Sequence, residues 1–156
     1  MSCDAVAFTA MLWLASTSAV PAPQGPPAAS PPPSVAGEPL FVDIVRRAGH
    51  LKAETESFEK APLDGDVKTL NGFTGFEDDI AKLSDLDMQG HVLLAQRGTD
   101  GDLKCILKGI SQDLPVKLKA LEDAADAKAR LDALKDMSYL LRDNVEVITS
   151  PPIPTV

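Results

Sequence analysis

LKCILKGISQDLPVKLKALEDAADAKARLDALKDMSYLL, residues 103–141, decides the fold. Leu103, Ile106, Leu107, Ile110, Leu114, Leu118 and Leu121 recur every three or four positions, and so do Ala127, Leu131, Leu134, Met137, Ser138 and Leu141. That period places each set on one face of an α-helix, with Lys128, Asp132, Lys135 and Asp136 on the solvent side of the second. The first helix, B, spans about 100–121. Thr99 or Asp100 caps it, and Asp102 sits in its first turn, where negative charge meets the positive end of the helix dipole. Pro115 removes a backbone donor, so a kink or division is expected near Leu114. The second, helix C, spans about 124–143. The connection around Glu122–Asp126 is short enough to make the two antiparallel neighbours.

Working toward the N-terminus, residues 63–98 read as a long connection. Asp64-Gly65 and Asn71-Gly72 are turn signals, and only Phe76 to Leu86 carries a short helical pattern. Before it, Phe41, Ile44, Val45, Ala48, Leu51, Thr55 and Phe58 define helix A, about 40–60, opened by Pro39 and closed before Pro62. Residues 20–39 form a Pro-rich leader with polyproline character at Pro31–Pro33, a spacer rather than a packed element. Residues 1–19 read as a signal peptide: an apolar run from Ala5 to Ala15, too short for a membrane anchor, leads to a cleavage site after Ala19. The helical domain therefore covers 40–150, and 151–156 is a loop.

This organisation predicts an all-α, secreted, extracellular protein without membrane insertion. The net charge of −8 opposes binding to phosphate backbones, which excludes nucleic acid as a natural partner. Once the signal peptide and Cys3 leave, Cys105 is the single thiol, and its place in helix B predicts burial. His50 and His91 have no partners at metal-ligand spacing. Asp85, Asp87, Gln89 and Gly90 echo the opening of a calcium loop, but Gln96 stands where a bidentate Glu is needed. No enzyme activity, metal or cofactor is expected.

Several short stretches resemble one family in the same order. Ala5-Val6-Ala7-Phe8 through Ala19-Val20-Pro21-Ala22-Pro23 is similar to the leader and mature start of the interleukin-6 family of long-chain four-helix cytokines. Phe41, Ile44, Val45 and Leu51 resemble its first core stripe, Thr99 to Ile106 with Gly109-Ile110 its approach to helix B, and Asn144 to Pro151 its loop after helix C. The resemblance implies an up-up-down-down bundle with only helices A, B and C present and the fourth missing after Val156. It also implies a secreted cytokine acting in immune and acute-phase responses through a cell-surface receptor and a shared signalling chain. The receptor-binding residues carried over are Asp43 and Arg47 on helix A and Lys128 and Asp132 on helix C. Ala95 stands where the family has a cysteine partner for Cys105, so packing alone would hold the chain. A three-helix remnant would expose an apolar groove open to self-association. The alternative is a secreted amphipathic helical carrier of lipid or of a small apolar ligand.

Overall fold

The structure is a computed structural model describing residues 34–98 and 101–150. The chain divides into Met1–Ser30 and Pro31–Val156. The signal peptide, residues 20–33 of the leader, the expected caps Thr99 and Asp100 and the loop 151–156 lie outside the described residues, and the domain 40–150 falls in the second unit.

Among the described residues there are four long helices and no strand: α1 Pro39–Phe58, α2 Phe73–Arg97, α3 Gly101–Glu122 and α4 Ala127–Thr149, with a single 3₁₀ turn at Val67–Thr69. The first, third and fourth correspond to helices A, B and C. The second corrects the sequence reading, since most of the expected loop 63–98 is helix. Its core positions are Phe73, Phe76, Ile80, Leu83, Asp87, Gly90 and Leu94, spaced three and four apart. An aspartate and a glycine interrupt that stripe, which hides the period from a hydrophobicity count. Gly72 and Gly98, with φ of +89° and +64°, mark its two ends in the left-handed conformation that suits glycine.

α4 starts at Asp126, whose carboxylate accepts from the Ala129 N–H at 2.8 Å. It continues six residues past the expected end, through Asn144 and Ile148, so Asn144 to Thr149 is helix rather than loop. Here too a polar residue occupies a buried position. α3 runs without interruption across Pro115. The proline cannot donate to the Ser111 carbonyl one turn back. The Ser84 hydroxyl of α2 donates to that carbonyl instead, at 2.6 Å.

Successive helices alternate in direction. Phe58 at the end of α1 packs on Phe73 and Phe76 at the start of α2, while Glu38 before α1 pairs with Arg97 at the end of α2. Ser84 meets Ser111, and His91 meets Lys104, so α2 and α3 run antiparallel. A four-residue turn then reverses the chain into α4, which lies beside both α3 and α1. The order is therefore up-down-up-down, with α2 diagonal to α4, and it replaces the up-up-down-down arrangement that the resemblance implied. α2 takes the place of the missing fourth rod, packed against α1 and α3.

The core is mainly aliphatic along its length, with fully buried Ile44, Leu51, Ile80, Leu83, Leu107, Leu114, Leu134 and Leu141, and with Phe41 as an aromatic member near the start of α1. Phe58, Phe73 and Phe76 close one end, with ring centroids 5.3 to 5.9 Å apart. The Arg130 guanidinium donates to the Leu63 carbonyl at 2.6 Å and holds the α1–α2 connection over that end.

Candidate functional site

The charged residues assigned to receptor contact sit in two separate places. Asp43 pairs with Arg46 and Arg47 on its own helix, the Arg47 Nε lying 3.0 Å from Asp43 Oδ2. Those two guanidinium groups, Arg47 first, hold the Asp43 carboxyl below its usual range. Lys128 and Asp132 form another one-turn pair at 2.6 Å, which raises the lysine and lowers the aspartate. α1 and α4 are antiparallel, so Asp43, near the start of α1, and Lys128, near the start of α4, lie toward opposite ends of the bundle. The structure does not bring the four residues together.

Cys105 is exposed, contrary to the burial read from its surroundings in the sequence. Its neighbours Leu103, Ile106 and Leu107 turn inward, and Cys105 lies off that face. His50 is largely exposed beside Glu54, at 3.5 Å. The His91 Nδ1 lies 2.7 Å from the Lys104 carbonyl, and since a carbonyl only accepts, this nitrogen carries the hydrogen. The stretch that echoes a calcium loop is regular helix with Asp87 turned into the core. Among the described residues, no group of three or more His, Cys, Asp or Glu side chains is placed to hold a metal ion. No helix among them is long and apolar enough to cross a membrane.

What the fold does assemble is an apolar groove between the start of α1 and the last turns of α2. Leu40, Met88, Val92 and Leu93 line it, the Gln89 and Gln96 amides are its polar groups, and its volume is about 360 Å³. Val92 is 44% exposed, a large aliphatic side chain left in water on a molecule whose core is already complete. On the inner face of α2, Gly90 lets α3 and α1 pack close. Gly90 has no Cβ, and one placed there would lie 3.1 Å from the Leu107 Cδ1 and 3.3 Å from the Phe41 Cε1. Beside the groove, both guanidinium nitrogens of Arg97 bond the two Glu38 oxygens at 2.7 and 2.8 Å. That ion pair fixes the relative position of the two helix ends and lowers the Glu38 pKa.

Sequence reasoning missed this groove because α2 was not read as one helix, so Met88 and Val92 had no common face. A second groove, of about 300 Å³, runs between α1 and α4. It is lined by Lys52, Glu56, Lys135, Tyr139 and Arg142 among others, with the Arg142 guanidinium 4.5 Å above the centre of the Tyr139 ring. Its charges are of both signs, so it offers no single field to a ligand.

No family model matches the chain, nor does any curated protein or solved structure.

Proposed function

We propose that this chain is a secreted helical-bundle carrier of small apolar ligands, with the α1–α2 groove as the place of binding. The observation that carries the reading is the lining: four apolar side chains and two neutral amides along an open surface groove. Binding sites for small molecules are of this kind, mostly apolar with a few polar groups that orient the ligand. A chain of net charge −8 with no cation lining the groove favours a neutral ligand over an anionic one. The receptor-ligand reading has less support, because the four residues on which it relied do not share a surface and the helix order differs from the one its family logic needs.

Titration of the purified chain with a neutral apolar dye such as Nile red tests the proposal. Saturable binding is expected, weakened about tenfold or more, or about 1.4 kcal/mol, by Val92→Asp. Tyr139→Asp, at another exposed position, on α4 and away from the groove, is the control and leaves affinity unchanged. Absence of saturable binding, or equal losses in the two variants, would sink the reading.

A further inference from the structure

The two places where the apolar period fails, Asp87 in α2 and Asn144 in α4, are partners. Both are fully buried, and they meet across the diagonal of the bundle, with the Asn144 Nδ2 donating to the Asp87 Oδ2 at 2.7 Å. The remaining oxygens, Asp87 Oδ1 and Asn144 Oδ1, are buried without a hydrogen-bond partner. Two acceptors left facing an apolar interior are costly, and such groups are uncommon in folded proteins. A proton on Asp87 Oδ1 resolves both at once. The carboxylic acid becomes a donor while its other oxygen still accepts from Nδ2, and the unpartnered Asn144 Oδ1, on the same amide, is an acceptor for that proton. Without that proton, a carboxylate is held in the core with a single donor.

The surroundings offer nothing else to balance a charge. Along α2, Asp87 lies between the Ser84–Ser111 contact and the approach of Gly90 to the apolar side chains of Phe41, Ile44 and Leu107. On α1 the titratable groups include Arg47, paired with Asp43, and the exposed His50 beside Glu54. α3 carries the exposed Cys105 and Lys108, and α4 carries Tyr139 under Arg142 and Asp143 beside it. On α2 itself, His91 is turned to the Lys104 carbonyl and Asp85 is exposed. None of these charges perturbs Asp87. Burial pushes its pKa up to about 8, and only the Asn144 hydrogen bond acts the other way.

We propose that Asp87 and Asn144 form a proton-operated latch: the neutral pair ties α2 to α4 and keeps the core closed, and loss of the Asp87 proton to solvent parts the two helices and exposes the apolar interior. The proton passes to water, no other covalent bond changes, and the Asn144–Asp87 hydrogen bond is lost as the helices part. The proposal is independent of the α1–α2 groove, which lies on the outside of the bundle. Because the closed form holds the proton more tightly than the open one, acid favours closure. Opening becomes easier as pH rises through the interval between the ordinary carboxylate range and the raised value.

Hydrogen exchange of the α4 amides from Leu141 to Ile148, corrected for the intrinsic effect of pH, reads the opening directly. Between pH 5 and pH 8 the full chain should lose protection by about a hundredfold or more, since each pH unit in the interval changes the opening equilibrium by up to about tenfold. Asp87→Asn keeps a reciprocal amide pair without a titrating proton, and its protection should be level over the same range. Asp87→Leu, which removes the polar group altogether, should also be level and serves if the first variant folds poorly. A level profile in the unmodified chain would overturn the latch, and so would a variant profile that follows the unmodified one.

Discussion

The Ser84 hydroxyl donates to the Ser111 carbonyl at 2.6 Å, and it thereby supplies the hydrogen bond that Pro115 cannot make within its own helix. One side chain on α2 explains how α3 keeps a proline in its interior without dividing. Ser84→Ala should lower stability by about 1 to 3 kcal/mol, because it leaves a buried carbonyl unsatisfied. In a Pro115→Ala background the backbone N–H of the introduced alanine takes over, and the same change should have a smaller effect. Urea denaturation of the four species in this cycle checks the coupling, and strict additivity would contradict it.

Phe58 and Phe76 meet edge to face at 5.3 Å and seal the end of the bundle with Phe73. Phe76 is fully buried. Phe76→Ala should lower stability by about 3 to 5 kcal/mol through lost burial and the cavity it leaves. Thermal unfolding with circular dichroism would register this as a large fall in Tm, whereas Tyr139→Ala on the surface should leave the transition almost in place.

Gly90 lets side chains of α1 and α3 pack against the backbone of α2. Alanine there gains helix propensity and meets Leu107 and Phe41 at tight contact distances, so the two effects oppose one another. Valine adds two methyl groups to a space with no room for them, and Gly90→Val should lower stability by about 1 to 3 kcal/mol. Equal stability of the glycine and valine forms by chemical denaturation would show that the helices can move apart without loss.

Asp87 also governs how stability depends on pH. Its pKa rises from 3.8 to about 8 on folding, so the folded chain keeps a proton that the unfolded chain loses. Stability should be greatest near the lower value, fall by up to about 1.4 kcal/mol per pH unit between the two, and level off above the upper one. Asp43 and Asp132 are shifted the other way by their ion pairs, so they act in the opposite sense and lose their contribution as pH falls through their lowered values. Denaturant midpoints from pH 4 to pH 9 should therefore decline on the alkaline side, and Asp87→Asn should flatten that decline.

α1, α3 and the first two-thirds of α4 are legible in the sequence because their buried positions are occupied almost entirely by apolar residues at helical spacing. α2 is not, and neither is the end of α4. In α2 the stripe passes through Asp87 and Gly90, and in α4 it passes through Asn144. Each of these residues reads locally as a loop or turn signal. They make sense only across the bundle, where Asp87 and Asn144 meet and Gly90 receives the side chains of two other helices. Two gaps in one-dimensional pattern thus had a three-dimensional cause, and a search for polar residues at complementary positions of two interrupted stripes could have found the pair. The α1–α2 groove was hidden for the same reason. The exposure of Cys105 depended on the rotation of α3, which its neighbours Leu103, Ile106 and Leu107 fix but do not advertise.

The alternation of helix direction brings the first turn of α1 and the last turn of α4 to the same end of adjacent rods. The four helices therefore form a cyclic antiparallel arrangement in which the last helix and the first are neighbours, like each consecutive pair. A rearranged chain in which a short flexible linker joins Ser150 to Ser34, and new ends are made between Asp123 and Asp126, would connect the same helices in the same cyclic order. Such a permuted chain should keep the full set of interhelical contacts, with the point of entry into the circuit being of little consequence to it.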